Sequence, residues 1–184
     1  MSYNPLSSIG YYTGINYPLY YLYAQSCDML QSDETDKKNV TQIAPNLYIS
    51  DYETSFNKQL LQEHKITHII TCVYGLTPRY PDEFIYKNIP LIDNPSENIL
   101  CYFDDACEFI DDAIKNNGNV LVHCMYGASR SATIIAAYIM YKSKGDISPK
   151  YALKYLRKKR DAINPNTGYI DQLEQYYNDL KLRN

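Results

Sequence analysis

The sequence contains no tryptophan, only four phenylalanines and three histidines, and no apolar run close to the ~20 residues of a membrane-spanning helix. Its net charge of −3 excludes the global basic field that would attract nucleic acid or an anionic membrane. The five cysteines form no Cys-x-x-Cys pair, and an odd number suits a reducing compartment better than a disulfide scaffold. Neither a signal peptide nor a glycine at position 2 is present, so we expect an intracellular, cytoplasmic protein without nucleic-acid or membrane partners.

What the chain has instead is tyrosine, with 21 among 184 residues, and its composition changes near residue 40. Residues 1–27 carry no charged side chain and are rich in tyrosine, whereas residues 32–39 read as a charged linker. We therefore predict an amino-terminal extension over residues 1–40 and a folded domain over residues 41–184. This length is enough to bury a sizeable core without disulfides.

Within the extension, a proline at a first helical position and apolar residues at helical spacing predict a short helix over residues 17–30. A helix of this length is marginal alone and must dock on something to persist. It can fold back onto its own domain, or it can pair with a second copy of the chain, which would make a homodimer. The third interpretation is that the Tyr-rich extension is a disordered, adhesive tail.

The remaining sequence alternates between strand-like and helix-like segments, which indicates an α/β domain with a largely parallel central sheet. The predicted strands are 46–50, 66–73, 84–92 and 119–122, and the predicted helices are 52–64, 99–115, 131–144, 149–163 and 167–182.

One strand–loop–helix segment carries the candidate chemistry, and it runs Val-Leu-Val-His-Cys-Met-Tyr-Gly-Ala-Ser-Arg-Ser over residues 120–131. A tight loop opening a helix points successive backbone N–H groups at one place, which makes an anion site. Arg130 adds a planar fork for two phosphate oxygens, and Gly127 lets the backbone turn close to the ligand. The same positive surroundings lower the pKa of Cys124 and make it a nucleophile. Ser131 can donate a hydrogen bond to that sulfur.

Other interpretations of these residues remain open. Cys124 could be a buried structural cysteine, but the glycine, arginine and serine that follow it favour a catalytic phosphate loop. His123 supports the loop from beside it, or is an ordinary core histidine. His64 and His68 have no acidic or cysteine partners, so we expect no metal site.

At these residues the chain resembles the cysteine-dependent protein tyrosine phosphatases, and most closely their dual-specificity branch. Three further segments resemble elements of that branch: residues 89–99, 137–140 and 165–173. The resemblance covers about residues 41–180. It implies a protein tyrosine phosphatase-like fold, a twisted and mostly parallel sheet with helices on both faces, so that residues 41–184 would form a dual-specificity phosphatase catalytic domain.

The resemblance also implies site roles. Asp93 lies at the separation from Cys124 at which the family places its general acid, with Asp82 as a rival on a nearby loop. Phosphate would be bound by the loop itself: Met125, Tyr126, Gly127, Ala128, Ser129 and Arg130. The bulky pair Met125-Tyr126 departs from many relatives, which affects the rim of the pocket. Hydrolysis would pass through a phosphocysteine, with no metal or organic cofactor.

The resemblance further implies a phosphoprotein substrate: the domain lacks the long insertions that deepen the pocket of phosphotyrosine-only relatives, and a shallow pocket would admit phosphoserine and phosphothreonine as well as phosphotyrosine. A phosphoinositide phosphatase and an RNA 5′-phosphatase are alternatives. Lipid-type relatives carry a lysine in the loop, which is missing here, and the basic helix 150–160 is interpreted as a solvated face. A phosphoprotein-binding module without turnover is a further alternative. Cys72 is a candidate disulfide partner for an oxidised Cys124, or simply a buried structural cysteine.

Overall fold

The computed structural model describes residues 40–183, so the predicted helix at 17–30 and the homodimer it would build lie outside the described residues. Five strands make one sheet in the order β1-β2-β5-β3-β4. The strands are β1 (Thr41–Ala44), β2 (Leu47–Ser50), β3 (His68–Thr71), β4 (Ile85–Asn88) and β5 (Val120–His123). Of these five, only β1 runs antiparallel to its neighbour, which confirms the predicted α/β fold with a mostly parallel sheet.

Six α-helices accompany this sheet in the described part of the chain. They are α1 (Tyr52–Ser55), α2 (Lys58–Glu63), α3 (Phe103–Lys115), α4 (Arg130–Lys142), α5 (Pro149–Lys159) and α6 (Thr167–Leu182), with a 3-10 turn at Leu100–Tyr102 before α3. The α4 helix is buried along most of its length because it lies among α3, α5 and α6.

The central strand β5 is covered on both faces. Val120, Leu121 and Val122 are all fully buried, and successive strand residues point to opposite faces of a sheet. On one face Leu121 packs in a cluster with Leu61 of α2 and Ile69 of β3. Helices therefore cover both faces, as a parallel sheet requires.

The register of the sheet places three strand ends side by side. His123 at the end of β5 is level with Ser50 at the end of β2 and with Thr71 at the end of β3. In open α/β sheets, ligands bind beyond the carboxyl ends of the strands. The loop that follows His123 thus begins at the carboxyl-terminal ends of the parallel strands, where a ligand site is expected.

Strands β3 and β4 are shorter than the predicted 66–73 and 84–92, and three other elements differ from the sequence-based prediction. The short strand β1 was not predicted; it returns into β2 through Asn46, which adopts a left-handed conformation with φ 64°. The helix predicted over 52–64 is two helices, because the Asn57 side chain accepts a hydrogen bond from Leu60 N and starts α2 anew. The helix predicted to reach residue 163 ends at Lys159, since Arg160 is extended and its side chain bonds elsewhere.

Candidate active site

The loop between β5 and α4 begins at Cys124, whose side chain is 1% exposed. Burial alone would raise the pKa of this thiol. The positive charge of Arg130, the Ser131 hydroxyl, and the backbone N–H groups of Ser131 and Ala128 act in the opposite direction, and the net pKa of Cys124 is lowered. The Ser131 hydroxyl donates to the sulfur at 3.2 Å. The loop therefore stabilises a thiolate, which is the nucleophilic form of cysteine.

Arg130 opens α4 and is also buried. One of its terminal nitrogens donates to the Leu91 carbonyl oxygen at 3.2 Å, and its Nε lies 3.7 Å from Oδ2 of Asp93. The guanidinium is thus fixed by the segment after β4, at the same edge of the sheet as Cys124. A fixed, planar and always-charged fork is suited to binding two oxygens of a phosphate.

The Asp93 carboxylate is brought to this loop. Its Oδ1 accepts hydrogen bonds from Ser129 Oγ at 2.8 Å and from Asn166 Nδ2 at 2.9 Å. The Asp93 side chain keeps 34% of its surface exposed, so a substrate can reach it. The rival Asp82 precedes β4 and therefore lies at the amino-terminal edge of the parallel sheet, away from the ends of the strands that carry the site.

His123 is almost completely buried and its Nε2 pairs with the Thr71 hydroxyl at 3.0 Å. Burial is the main reason that the pKa of His123 is lowered to about 4; the Cys124 backbone offsets part of this shift, and Arg130 adds to it. The imidazole is therefore neutral at pH 7. Its position ties the end of β5 to β3 directly before Cys124.

Gly127 sits at the centre of the loop with φ 61°, a conformation that side chains rarely adopt. A Cβ here would lie 2.6 Å from the Ser50 carbonyl oxygen and 3.0 Å from Nη2 of Arg160. The position is therefore restricted to glycine by its backbone conformation and by its neighbours.

Arg160 is a site residue that the sequence did not indicate. From the end of α5 its Nε donates to the Gly127 carbonyl oxygen at 3.0 Å and its Nη2 to the Tyr126 carbonyl oxygen at 3.2 Å. These bonds engage two of the loop's backbone carbonyl oxygens. The basic side chains of the helix itself, such as Lys154 and Lys158, are exposed as expected of a solvated face, whereas Arg160, directly after the helix, bonds to the loop.

The two bulky loop residues are placed differently. The side chain of Met125 is buried and its carbonyl oxygen accepts from Tyr52 N, whereas the Tyr126 side chain is 67% exposed at the rim. The Ala128 carbonyl oxygen accepts from Asn164 N at 2.9 Å. Of the bulky pair, only Tyr126 presents its side chain at the surface.

The start of α6 holds the segment that bears Asp93. The Tyr169 hydroxyl donates to the Ile92 carbonyl oxygen at 2.7 Å, and Gln172 Oε1 accepts from Ile99 N at 2.8 Å. The resemblance singles out residues 165–173 as a motif without showing what they contact. Their contacts fix the backbone on both sides of Asp93.

Cys72 follows β3 and is buried beside the end of β5, where its backbone N–H donates to the His123 carbonyl oxygen at 2.9 Å. Burial raises the pKa of Cys72, the nearby Cys124 charge raises it further, and Arg130 lowers it in part. The two thiols are neighbours across β3 and β5, but a disulfide between them stays a prediction.

No cluster of three or more His, Cys, Asp or Glu side chains suited to a metal ion occurs among residues 40–183. Within the same range, none of the helices has the length and apolar character needed to cross a membrane.

Most of the described chain matches one family of known proteins. The sequence profile described as "Dual specificity phosphatase, catalytic domain" matches residues 47–179. The chain belongs to this family. Membership confirms the predicted family and reaction class, a protein-tyrosine/dual-specificity phosphatase, and it implies a phosphocysteine intermediate.

Individual relatives agree with this assignment. Dual specificity protein phosphatase 1B of Arabidopsis thaliana is 39% identical over 144 residues, which are 78% of this chain and 85% of that protein. A solved mouse putative dual specificity phosphatase, complexed with zinc tungstate, superimposes with a TM-score of 0.75 at 27% identity, over 84% of this chain and 96% of that one. The solved structure of the human tyrosine phosphatase-like serine/threonine/tyrosine-interacting protein superimposes with a TM-score of 0.71 at 35% identity. The superposition covers 78% of this chain and 97% of that one. The two solved structures confirm the predicted fold.

Proposed function

We propose that this dual specificity phosphatase removes phosphate from tyrosine, serine and threonine side chains of proteins, with Cys124 as nucleophile, Arg130 as phosphate ligand and Asp93 as general acid. The observation that carries the proposal is the Ser131 hydroxyl 3.2 Å from the Cys124 sulfur, in a loop whose Arg130 also faces Asp93. Nucleophile, anion ligand and acid thus converge at one edge of the sheet.

In the first step the Cys124 thiolate attacks phosphorus in line with the ester oxygen. The S–P bond forms while the P–O bond to the substrate breaks, and Asp93 gives its proton to the departing oxygen. Arg130 and the N–H groups of the loop hold the three other phosphate oxygens, where charge accumulates.

In the second step a water molecule attacks the phosphocysteine. The ionised Asp93 now takes a proton from that water, and the S–P bond breaks to release phosphate and the Cys124 thiolate. The hydrogen bond from Ser131 stabilises the sulfur as it leaves. Each catalytic group returns to its starting state, so the cycle needs no further reactant.

The substrate class is supported by the shape of the loop's rim. The exposed Tyr126 side chain is available to contact the residue or peptide around a phosphate, while the other loop residues that precede Arg130 are small or buried. The mouse relative complexed with zinc tungstate supports an oxyanion site, because tungstate is a tetrahedral oxyanion like phosphate.

The test is turnover of an aryl phosphate and of a phosphopeptide panel by the full chain. We expect hydrolysis, lost by roughly 10³-fold or more in Cys124→Ser, where binding of tungstate is retained. Cys101→Ser is the matched control, because Cys101 is an exposed free thiol. Inositol lipids and 5′-triphosphorylated RNA belong in the same panel, and preferential turnover of either would overturn the protein-substrate proposal.

A second candidate is a phosphoprotein-binding module, since one relative is named a serine/threonine/tyrosine-interacting protein. Binding of phosphopeptides without turnover of any panel member would favour it. The retained Cys124, Arg130 and Asp93 favour the enzyme.

The proposal extends to location and assembly. Cys72, Cys101, Cys107 and Cys124 are free thiols, which supports a reducing, cytoplasmic location. The net charge of −3 supports the proposed lack of nucleic-acid and membrane partners. We further propose a homodimer through residues 17–30, for which the apolar helical spacing is the support. Light scattering on the full chain and on a chain beginning at Val40 tests it, and equal monomer masses would refute it.

A further inference from the structure

We propose that Asn166 is a positioning residue for Asp93: its side-chain amide is fixed by α6 and holds the carboxylate in the orientation for proton transfer. The inference rests on the proposed role of Asp93 as general acid. It assigns a function to a residue that precedes the last helix and is far from the nucleophile in the sequence.

Both polar groups of the Asn166 side-chain amide form hydrogen bonds. Its Oδ1 accepts from Tyr169 N at 3.0 Å, which is the N-cap hydrogen bond of α6, and its Nδ2 donates to Asp93 Oδ1 at 2.9 Å. The two bonds require opposite groups, because a backbone N–H needs an acceptor and an ionised carboxylate needs a donor. Capping α6 therefore forces the NH₂ group to face Asp93.

A second donor acts on the same carboxylate oxygen. Ser129 Oγ donates to Asp93 Oδ1 at 2.8 Å and itself accepts from Asn166 N at 3.4 Å. An oxygen that already accepts two hydrogen bonds is a poor place for a proton. The proton that Asp93 transfers is thus directed to Oδ2, the oxygen that lies 3.7 Å from Nε of Arg130, the proposed phosphate ligand.

Helix capping alone does not account for this arrangement. The cap uses only Oδ1, and aspartate or serine would cap α6 equally well. The donor nitrogen is an additional feature that only asparagine provides at this reach. Without it, Ser129 Oγ remains as a hydrogen-bond donor to Oδ1 of a carboxylate that is one-third exposed, and a misplacement of about 1 Å can cost about 10²-fold in rate.

The backbone near Asp93 has its own supports. Tyr169 holds the Ile92 carbonyl oxygen, and Gln172 holds the N–H groups of Ile99 and Leu100. Replacing the Asn166 side chain therefore changes the orientation of the acid and leaves the segment that carries it in place.

Two variants separate the positioning role from the cap. Asn166→Ser keeps a capping hydroxyl but is too short to reach Asp93, and Asn166→Asp keeps the capping oxygen but sets a second carboxylate against the first. The measurement is kcat/KM for a series of aryl phosphates, from p-nitrophenyl phosphate to phenyl phosphate, because kcat/KM covers only the steps up to formation of the phosphocysteine, before Asp93 acts as a base. We expect kcat/KM to fall about 10-fold or more for phenyl phosphate, which needs protonation of its leaving group, and less than about 2-fold for p-nitrophenyl phosphate.

The matched control is Asn57→Ser. Asn57 caps α2 with the same type of hydrogen bond, accepting from Leu60 N at 3.1 Å, at the start of a different helix. The thermal midpoint of every variant is measured alongside. Asn57→Ser should lower that midpoint as much as Asn166→Ser and leave the leaving-group dependence unchanged.

Asp93→Asn distinguishes failure of this inference from failure of the proposed function. If Asp93→Asn slows all aryl phosphates equally, Asp93 is not the general acid and both ideas fail. If Asp93→Asn selectively slows phenyl phosphate while both Asn166 variants act on all substrates equally or on none, only the positioning role is overturned. Adding Asn166→Ser to Asp93→Asn should steepen the leaving-group dependence no further.

Discussion

Arg160 Nε donates a 3.0 Å hydrogen bond to the carbonyl oxygen of Gly127, joining the end of α5 to the middle of the phosphate loop. A second bond from the same guanidinium reaches the Tyr126 carbonyl oxygen. A second cation besides Arg130 thus contacts the backbone of the loop.

We predict that Arg160→Met weakens inhibition by tungstate and lowers kcat/KM about 10-fold, because two loop carbonyls lose their donor and the amides that face the anion are less ordered. Lys158→Met is the control, since Lys158 is an exposed cation on the same helix. Equal effects of the two variants would mean that Arg160 acts only through its net charge.

Gly127→Ala should destabilise the protein by about 1–3 kcal/mol and remove activity, because the new Cβ meets the Ser50 carbonyl oxygen at 2.6 Å in a left-handed backbone. Gly75→Ala separates the two causes. Gly75 has φ 74°, but a methyl group added there would meet no atom of another segment within 4 Å, so this variant carries the backbone strain without the clash. Urea unfolding measures the stability of each variant, and aryl phosphate turnover measures its activity. A Gly127→Ala enzyme that is as active as Gly75→Ala would contradict the packing argument.

Ser131→Ala should raise the pKa of Cys124, because the hydroxyl is one of the groups that lower it. A higher pKa means less thiolate at a given pH, so the acidic limb of kcat/KM should move to higher pH, and so should the pH dependence of alkylation by iodoacetate. Hydrolysis of the phosphocysteine should slow as well, since the departing sulfur loses its donor. Ser143→Ala, at the other end of α4 with its hydroxyl on the Met140 carbonyl oxygen, should leave both profiles in place.

Mild peroxide should oxidise the Cys124 thiolate to a sulfenic acid, which the thiol of Cys72 then attacks to form a disulfide and release water. Peptide mapping detects the Cys72–Cys124 linkage, and reduction with a dithiol should restore turnover. Cys72→Ser should convert reversible loss of activity into irreversible loss. Should mapping find only overoxidised Cys124, Cys72 is a structural cysteine.

The sequence predicted the parts of the site that are local. Cys124, Gly127, Arg130 and Ser131 share one strand–loop–helix segment, and its chemistry follows from residue types and spacing. Asp93 came from family resemblance, because its partner Ser129 lies on a different segment and no local pattern marks an acid.

The supports of the site could not be predicted in this way. Arg160 reaches Gly127 across 33 residues of sequence, and Asn166 reaches Asp93 across 73. Such contacts depend on how α5 and α6 return to the sheet edge, which is a property of the packed fold. Similarly, α5 ends directly before Arg160, whose side chain bonds to the loop, whereas helical spacing in the sequence alone predicts a longer helix.

The position of these supports late in the chain has a consequence for synthesis. A ribosome exposes Cys124 before Arg160, Asn164 and Asn166, so the nascent loop exists for a time without the residues that hold its carbonyls and its acid. The groups that lower the pKa of Cys124, which are Arg130, Ser131 and Ala128, are synthesised directly after it. The loop carbonyls and the Asp93 carboxylate can gain their remaining partners only once α5 and α6 have been synthesised and have docked.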